Sequence, residues 1–129
     1  MKNIYILFVR SILEQSATVW HSSLTLQNRE DLVRVQKLAV RLILENQYKG
    51  YKKSLKMLEM ETLNDRREEL CLKFALKAVK NSKMKAMFPL KKKKHDMMTR
   101  EAETYKVQHA NTDRLQKSPI IYMQKLLNM

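Results

Sequence analysis

The 129-residue chain has one glycine, two prolines and one cysteine. Each scarcity excludes something. Tight hairpin turns draw on glycine at positive φ, and Gly50 is the only glycine, so the chain has little means of building β-hairpins. Cys71 stands alone, which excludes an intramolecular disulfide and any cysteine-based zinc finger. In its apolar helical run it reads as a small packing residue. Long apolar runs are also missing. The longest, residues 4–9, is far short of the roughly 20 residues of a membrane span. Lys2 ahead of that run faintly imitates a secretory signal, but Arg10 and Glu14 interrupt it too early. The expected location is cytoplasmic or nuclear, not secreted, and no membrane partner is expected.

Acidic residues are few as well: 13, against 26 lysines and arginines, for a net charge of +13. The surplus is spread along the chain, and no acid occurs between Glu69 and Asp96. A spread positive surface favours a polyanion, nucleic acid first, through counterion release. The plainer reading is solubility. The four aspartates (Asp31, Asp65, Asp96 and Asp113) stand apart, so there is no carboxylate pair of the kind that holds two catalytic metal ions. His21 has Ser22 and Ser23 beside it but no acid nearby to orient it, and it reads as a polar turn at a helix end, with Trp20 packed on the core. His95 and His109 lack metal-ligand spacing. No catalytic residue, metal, cofactor or small-molecule substrate is expected.

What is present is helical periodicity. Residues 3–19 form a nearly all-round apolar segment with Asn3, Arg10 and Glu14 in one narrow stripe. Residues 27–45 form a two-faced helix, with Thr25 or Asn28 as cap. Its polar face is Glu30, Arg34, Lys37, Arg41 and Glu45; its inner face is Leu32, Val35, Ala39, Leu42 and Ile43. Gly50 marks a turn needing positive φ. A short helix over 51–58 turns Tyr51, Leu55 and Leu58 inward, and Thr62 with Asp65 opens a longer one over 63–81. On that helix Arg66, Glu69, Lys73, Lys77 and Lys80 share a stripe about 80° wide, which predicts burial on its other sides. The lysine run at 91–94 and His95 have no apolar periodicity, residues 100–117 are weakly helical at best, and 120–127 form a last helix behind Pro119. The expected fold is all-α, with four or five helices and a mobile basic segment after Leu90. Residues 1–90 form the helical region, 91–118 a basic and largely irregular linker, and 119–129 a short C-terminal helix.

Several motifs carry a resemblance. They are Arg10-Ser11-Ile12-Leu13-Glu14, Val19-Trp20, Leu32-x-x-Val35-Gln36-Lys37-x-Ala39-x-Arg41-Leu42-Ile43-Leu44 and Leu55-x-x-Leu58. Leu63-x-x-Arg66-Arg67-x-x-Leu70-x-Leu72-x-Phe74-Ala75, Phe88-Pro89-Leu90, Arg114-Leu115-x-x-Ser118-Pro119-Ile120 and Leu126-Leu127-Asn128 continue it. Together they resemble the thumb and C-terminal region of reverse transcriptases from jockey-like non-LTR retrotransposons, over most of the chain apart from residues 91–98. The catalytic Tyr-x-Asp-Asp motif and the upstream endonuclease of that family have no counterpart here. The resemblance implies a non-catalytic fragment of an RNA-directed DNA polymerase, from a transposable element copied incompletely and read from an internal Met1. It also implies that the parent region positions template–primer or RNA by phosphate contact.

Lys73, Lys77 and Lys80, at spacings of four and three, form the leading candidate line for backbone contact, with Lys83 and Lys85 extending it. Arg34, Lys37 and Arg41 form a second line, diluted by Glu30 and Glu45. The plainer reading of either line, and of the second above all, is an ordinary solvated face. The run at 91–94 fits a nuclear-localisation signal, a polyanion contact or a plain linker. Tyr5, Tyr48, Tyr51, Tyr105 and Tyr122 have rings that stack on bases or pack at the core or its rim. The expected partners are an RNA or DNA backbone and, as an alternative, an intact reverse transcriptase on which the chain docks as a helical module. A remnant with no separate activity is the third reading.

Overall fold

A computed structural model describes residues 1–91 and 104–129. Most of the lysine run and His95 therefore lie outside the described residues. The described chain is all-α, and its one β-type pairing is an isolated bridge between Leu90 and Tyr105. It divides into two compact units, Met1–Leu70 and Cys71–Met129, with the division falling inside the helix Leu63–Lys80.

The first unit opens with consecutive helical turns: α over Lys2–Ile4, π over Tyr5–Arg10 and α over Ser11–Glu14. The Ser11 hydroxyl donates back to the Leu7 carbonyl at 2.6 Å and reaches that of Phe8 at 3.2 Å, supplying a donor where the wide turn loosens the α-helical ladder. The single helix expected over residues 3–19 is broken. Ser16 takes a left-handed φ of 53°, and the chain restarts as Ala17–Trp20. The Trp20 indole N–H donates to the Gln15 carbonyl at 2.8 Å, satisfying an acceptor next to the break.

Thr25 caps the helix Leu26–Leu44, its hydroxyl accepting from the Asn28 amide at 3.2 Å. The buried stripe of this helix is turned from the expected one. It runs through Gln36 and Val40, both fully buried, with Ala39, Ile43 and Leu44 packed on the same core. Val35 and Leu42, expected inside, are exposed together with Leu38.

Gly50 has φ 100° and ψ 151°, a region essentially reserved for glycine. A Cβ there would meet nothing within 4 Å, so the requirement is one of backbone alone. The helix Tyr51–Met57 follows, with Leu55 buried and Tyr51 and Leu58 packed against it. It ends in a Schellman motif. The Met60 N–H reaches the Leu55 carbonyl at 2.9 Å and the Glu59 N–H reaches that of Lys56 at 3.1 Å. Glu59 holds the left-handed position at φ 52°, where glycine is usual. Glu59→Gly is therefore expected to stabilise the chain by about 1 kcal/mol. A thermal melt showing no rise, or a fall, would contradict that account of the turn.

Gln36 ties this unit together. Its Nε2 donates to the Glu61 carbonyl at 3.0 Å, while its Oε1 accepts from the Leu63 N–H at 3.1 Å and from the Tyr51 hydroxyl. Leu63 opens the next helix, so its N–H is one of the orphan donors at a helix start. Around this link lies the core of Tyr5, Val40, Leu55 and Met60.

In the helix Leu63–Lys80 the fully or nearly buried positions are Leu63, Arg67, Cys71, Ala75 and Ala78, one stripe at steps of four and three. Burial on three sides does not occur, since Leu72, Phe74 and Leu76 are exposed. The second unit gathers Ala75, Ala78, Phe88 and Met123 into its core. Ser118 caps the helix Pro119–Leu127, with Pro119 in its first turn. Two amides from the end of that helix hold the irregular chain before it. Gln124 donates to the Met87 carbonyl at 2.7 Å and accepts from the Gln108 N–H at 2.8 Å. Asn128 accepts from the Tyr105 N–H at 2.7 Å and donates to its carbonyl at 2.9 Å, closing both backbone groups of one residue.

Candidate nucleic-acid interface

In the second unit Lys73, Lys77 and Lys80 lie opposite the buried stripe of their helix and are exposed. Lys83 and Lys85, in the turns that follow, are exposed as well. Helical rise sets Lys73 and Lys77 roughly 6 Å apart along the axis, and Lys77 and Lys80 roughly 4.5 Å. No carboxylate among the described residues forms an ion pair with Lys77, Lys80, Lys83 or Lys85. Such a row can neutralise successive phosphates and carries no means of reading bases.

The expected stripe loses two members. Arg66 is partly buried, and its Nε and a terminal N–H donate to the two carboxylate oxygens of Glu14 at 3.1 and 3.3 Å. Glu69 at 3.6 Å and Glu61 at 3.9 Å complete the group around it. The hydrogen bonds to Glu14 raise the Arg66 pKa above its ordinary value, outweighing the desolvation that opposes them. Arg66 and Glu69 thus act in the structure of the first unit.

The second line, in the first unit, is exposed but engaged. Arg34 pairs with Asp31 at 3.1 Å, Lys37 lies 5.5 Å from the centre of the Tyr51 ring, and Arg41 lies 5.4 Å from that of Tyr48. Those two rings are half-buried beneath cations, and Tyr5 is buried. Burial pushes the Tyr5 hydroxyl up to about 12 and also raises that of Tyr51.

The residues that the sequence reading passed over are Arg29 and Arg67. Arg67 is fully buried. Its Nε donates to His21 Nδ1 at 3.3 Å, and its guanidinium lies 5.6 Å from the centre of the Trp20 ring. His21 stands in the turn at the end of the helix Ala17–Trp20, as expected, and is buried there. Desolvation, then the charges of Arg67 and Arg29, lower its pKa to about 4, so the imidazole is neutral at pH 7 and can accept from Arg67. Its signal in the sequence was the four-residue step Leu63, Arg67, Cys71, Ala75, which puts Arg67 on the inner line of its helix.

Among the described residues no three His, Cys, Asp or Glu side chains converge as a metal site, and no helix is long and apolar enough to cross a membrane. No family model matches the chain, nor does any curated protein or solved structure.

Proposed function

We propose that the chain is a non-catalytic module that holds RNA or DNA by its phosphate backbone, as the C-terminal region of a reverse transcriptase of the resembled family would. The observation that carries this reading is the lysine row at 73, 77, 80, 83 and 85: exposed, of one sign, and with its last four members in no ion pair with a described carboxylate. Such a surface attracts polyanions and releases their counterions. The chemistry it offers is positioning, and no bond is made or broken. Titration of labelled RNA and of duplex DNA tests it. Binding at low ionic strength that weakens steeply with added salt is expected, and no binding at low salt would overturn it.

A second reading has its own support. Ile4, Leu7, Phe8 and Ile12 are exposed at helical spacing along the first helical segment. An apolar row of this kind favours a helical interaction module that docks on an intact polymerase, or a remnant left with uncovered surface. Co-purification with an intact reverse transcriptase supports the module. Aggregation without a specific partner supports the remnant.

A further inference from the structure

We infer that a cleft in the first unit is a binding site for a nucleoside phosphate. The inference is independent of the lysine row. The cleft has a volume of about 480 Å³ and is lined by Arg29, Glu30, Val33, Arg34, Lys37 and Asn64. Five of these residues recur at short helical steps on Leu26–Leu44, and Asn64 comes from the first turn of Leu63–Lys80. It is a groove open to solvent rather than an enclosed cavity, though its volume is within the roughly 300–1,000 Å³ of small-molecule sites.

Three of the six lining side chains are cationic. Arg34 has one ion pair among the described residues, with Asp31; both partners are well exposed, so a phosphate can displace the carboxylate at little cost. Lys37 is exposed, lies over the face of the Tyr51 ring and is in no ion pair with a carboxylate among the described residues, which leaves ammonium N–H groups for other acceptors. Arg29 is partly buried, and its Nε is shut off from water with no hydrogen-bond acceptor. Closed to water, that Nε is closed to an oxyanion as well, so Arg29 can serve the cleft only through its terminal N–H groups.

Two guanidinium forks and an ammonium suit a multiply charged tetrahedral anion better than a carboxylate. The other polar residues make the site more than an anion trap. Glu30 only accepts hydrogen bonds at neutral pH and would repel a second phosphate, but it fits the hydroxyls of a sugar. Asn64 offers both a donor and an acceptor, as the edge of a base requires. The ligand class is therefore a phosphomonoester carried on a nucleoside, either a free nucleotide or the 5′-phosphorylated end of a strand.

Calorimetric titration of the full chain at low ionic strength tests the site with adenosine 5′-monophosphate, adenosine and inorganic phosphate as probes. The monophosphate is expected to bind roughly in the millimolar range or tighter, with each of the other two at least about tenfold weaker. Arg29→Gln and Lys37→Gln should each weaken it by about tenfold or more, and Lys125→Gln, an exposed lysine outside both the cleft and the lysine row, should leave it unchanged. Lys37 is on an exposed helix face, so its variant keeps the test valid even if Arg29→Gln folds poorly. A short oligonucleotide with and without its 5′-phosphate separates the sources. Binding of the phosphorylated strand at least about tenfold tighter than of the same strand without its 5′-phosphate assigns a strand end, and equal binding of the two strands assigns a free nucleotide. The proposal is overturned if the monophosphate fails to bind at millimolar concentration, if adenosine or phosphate binds as tightly, or if Lys37→Gln binds like the parent chain.

Discussion

Gln36→Leu is expected to destabilise the first unit by about 3 to 5 kcal/mol. Leucine fills much the same space, so little of this is lost packing. The loss comes from the three groups that Gln36 satisfies: the Glu61 carbonyl, the Leu63 N–H and the Tyr51 hydroxyl. Each buried polar group left without a partner costs about 1 to 3 kcal/mol, and partial access to water lowers the sum. A loss of this size is a large share of a domain's usual 5 to 15 kcal/mol. Urea unfolding measures it as a shift in midpoint at constant slope. Lys37→Gln, one residue along and exposed, should stay within about 0.5 kcal/mol of the parent. A Gln36→Leu loss below about 1 kcal/mol would mean that the turn before Leu63 is held by something else.

The second large effect is acid sensitivity. His21 has a folded pKa near 4 against 6.5 in an unfolded chain, so the folded state binds fewer protons throughout that interval. Its contribution to stability is intact above about pH 6.5, falls as the pH drops, and is gone below about pH 4. The whole step is about 3 kcal/mol, with about 2 kcal/mol already lost by pH 5. Protonation would put a second positive charge against the Arg67 guanidinium, with Arg29 also near. Stability measured from pH 7 to pH 5 should decline in the parent chain and stay nearly level in His21→Gln. An equal slope in both would remove His21 from the account.

The two effects share a reason for being hard to see in the sequence. Hydropathy sets Gln36 and Arg67 on the wet side of their helices, yet both are fully buried. Their positions were legible in the spacing: Gln36 stands four residues before Val40, and Arg67 stands between Leu63 and Cys71 on one line. What the spacing does not reveal is the partner that makes burial tolerable. For Gln36 the partners lie in the turn 25 to 27 residues on, and for Arg67 the imidazole lies 46 residues back. The all-α class, the Thr25 cap, Pro119 in the first turn of the last helix and the Gly50 turn were open to reading because their causes are local. The break at Ser16 was not, because serine carries no strong preference for the left-handed conformation it adopts there.

The candidate interface divides the same way. Exposure of Lys73, Lys77 and Lys80 followed from their angle on the helix. The engagement of Arg66 by Glu14, 52 residues away, did not follow from any pattern within the stripe. Arg29 was hidden among the acids of its helix start, and only the arrival of Asn64 from a second helix makes a cleft around it.

The central claim is that the lysine row holds a phosphate backbone, and the salt dependence of duplex binding tests it most directly. If all five lysines engage, the slope of log K against log salt is expected near −4.5. Replacing Lys77, Lys80 and Lys83 together by glutamine should flatten it by about 3 units while the melting curve stays that of the parent. An unchanged slope in that variant, with binding intact, would contradict the claim and put the contact elsewhere on the chain.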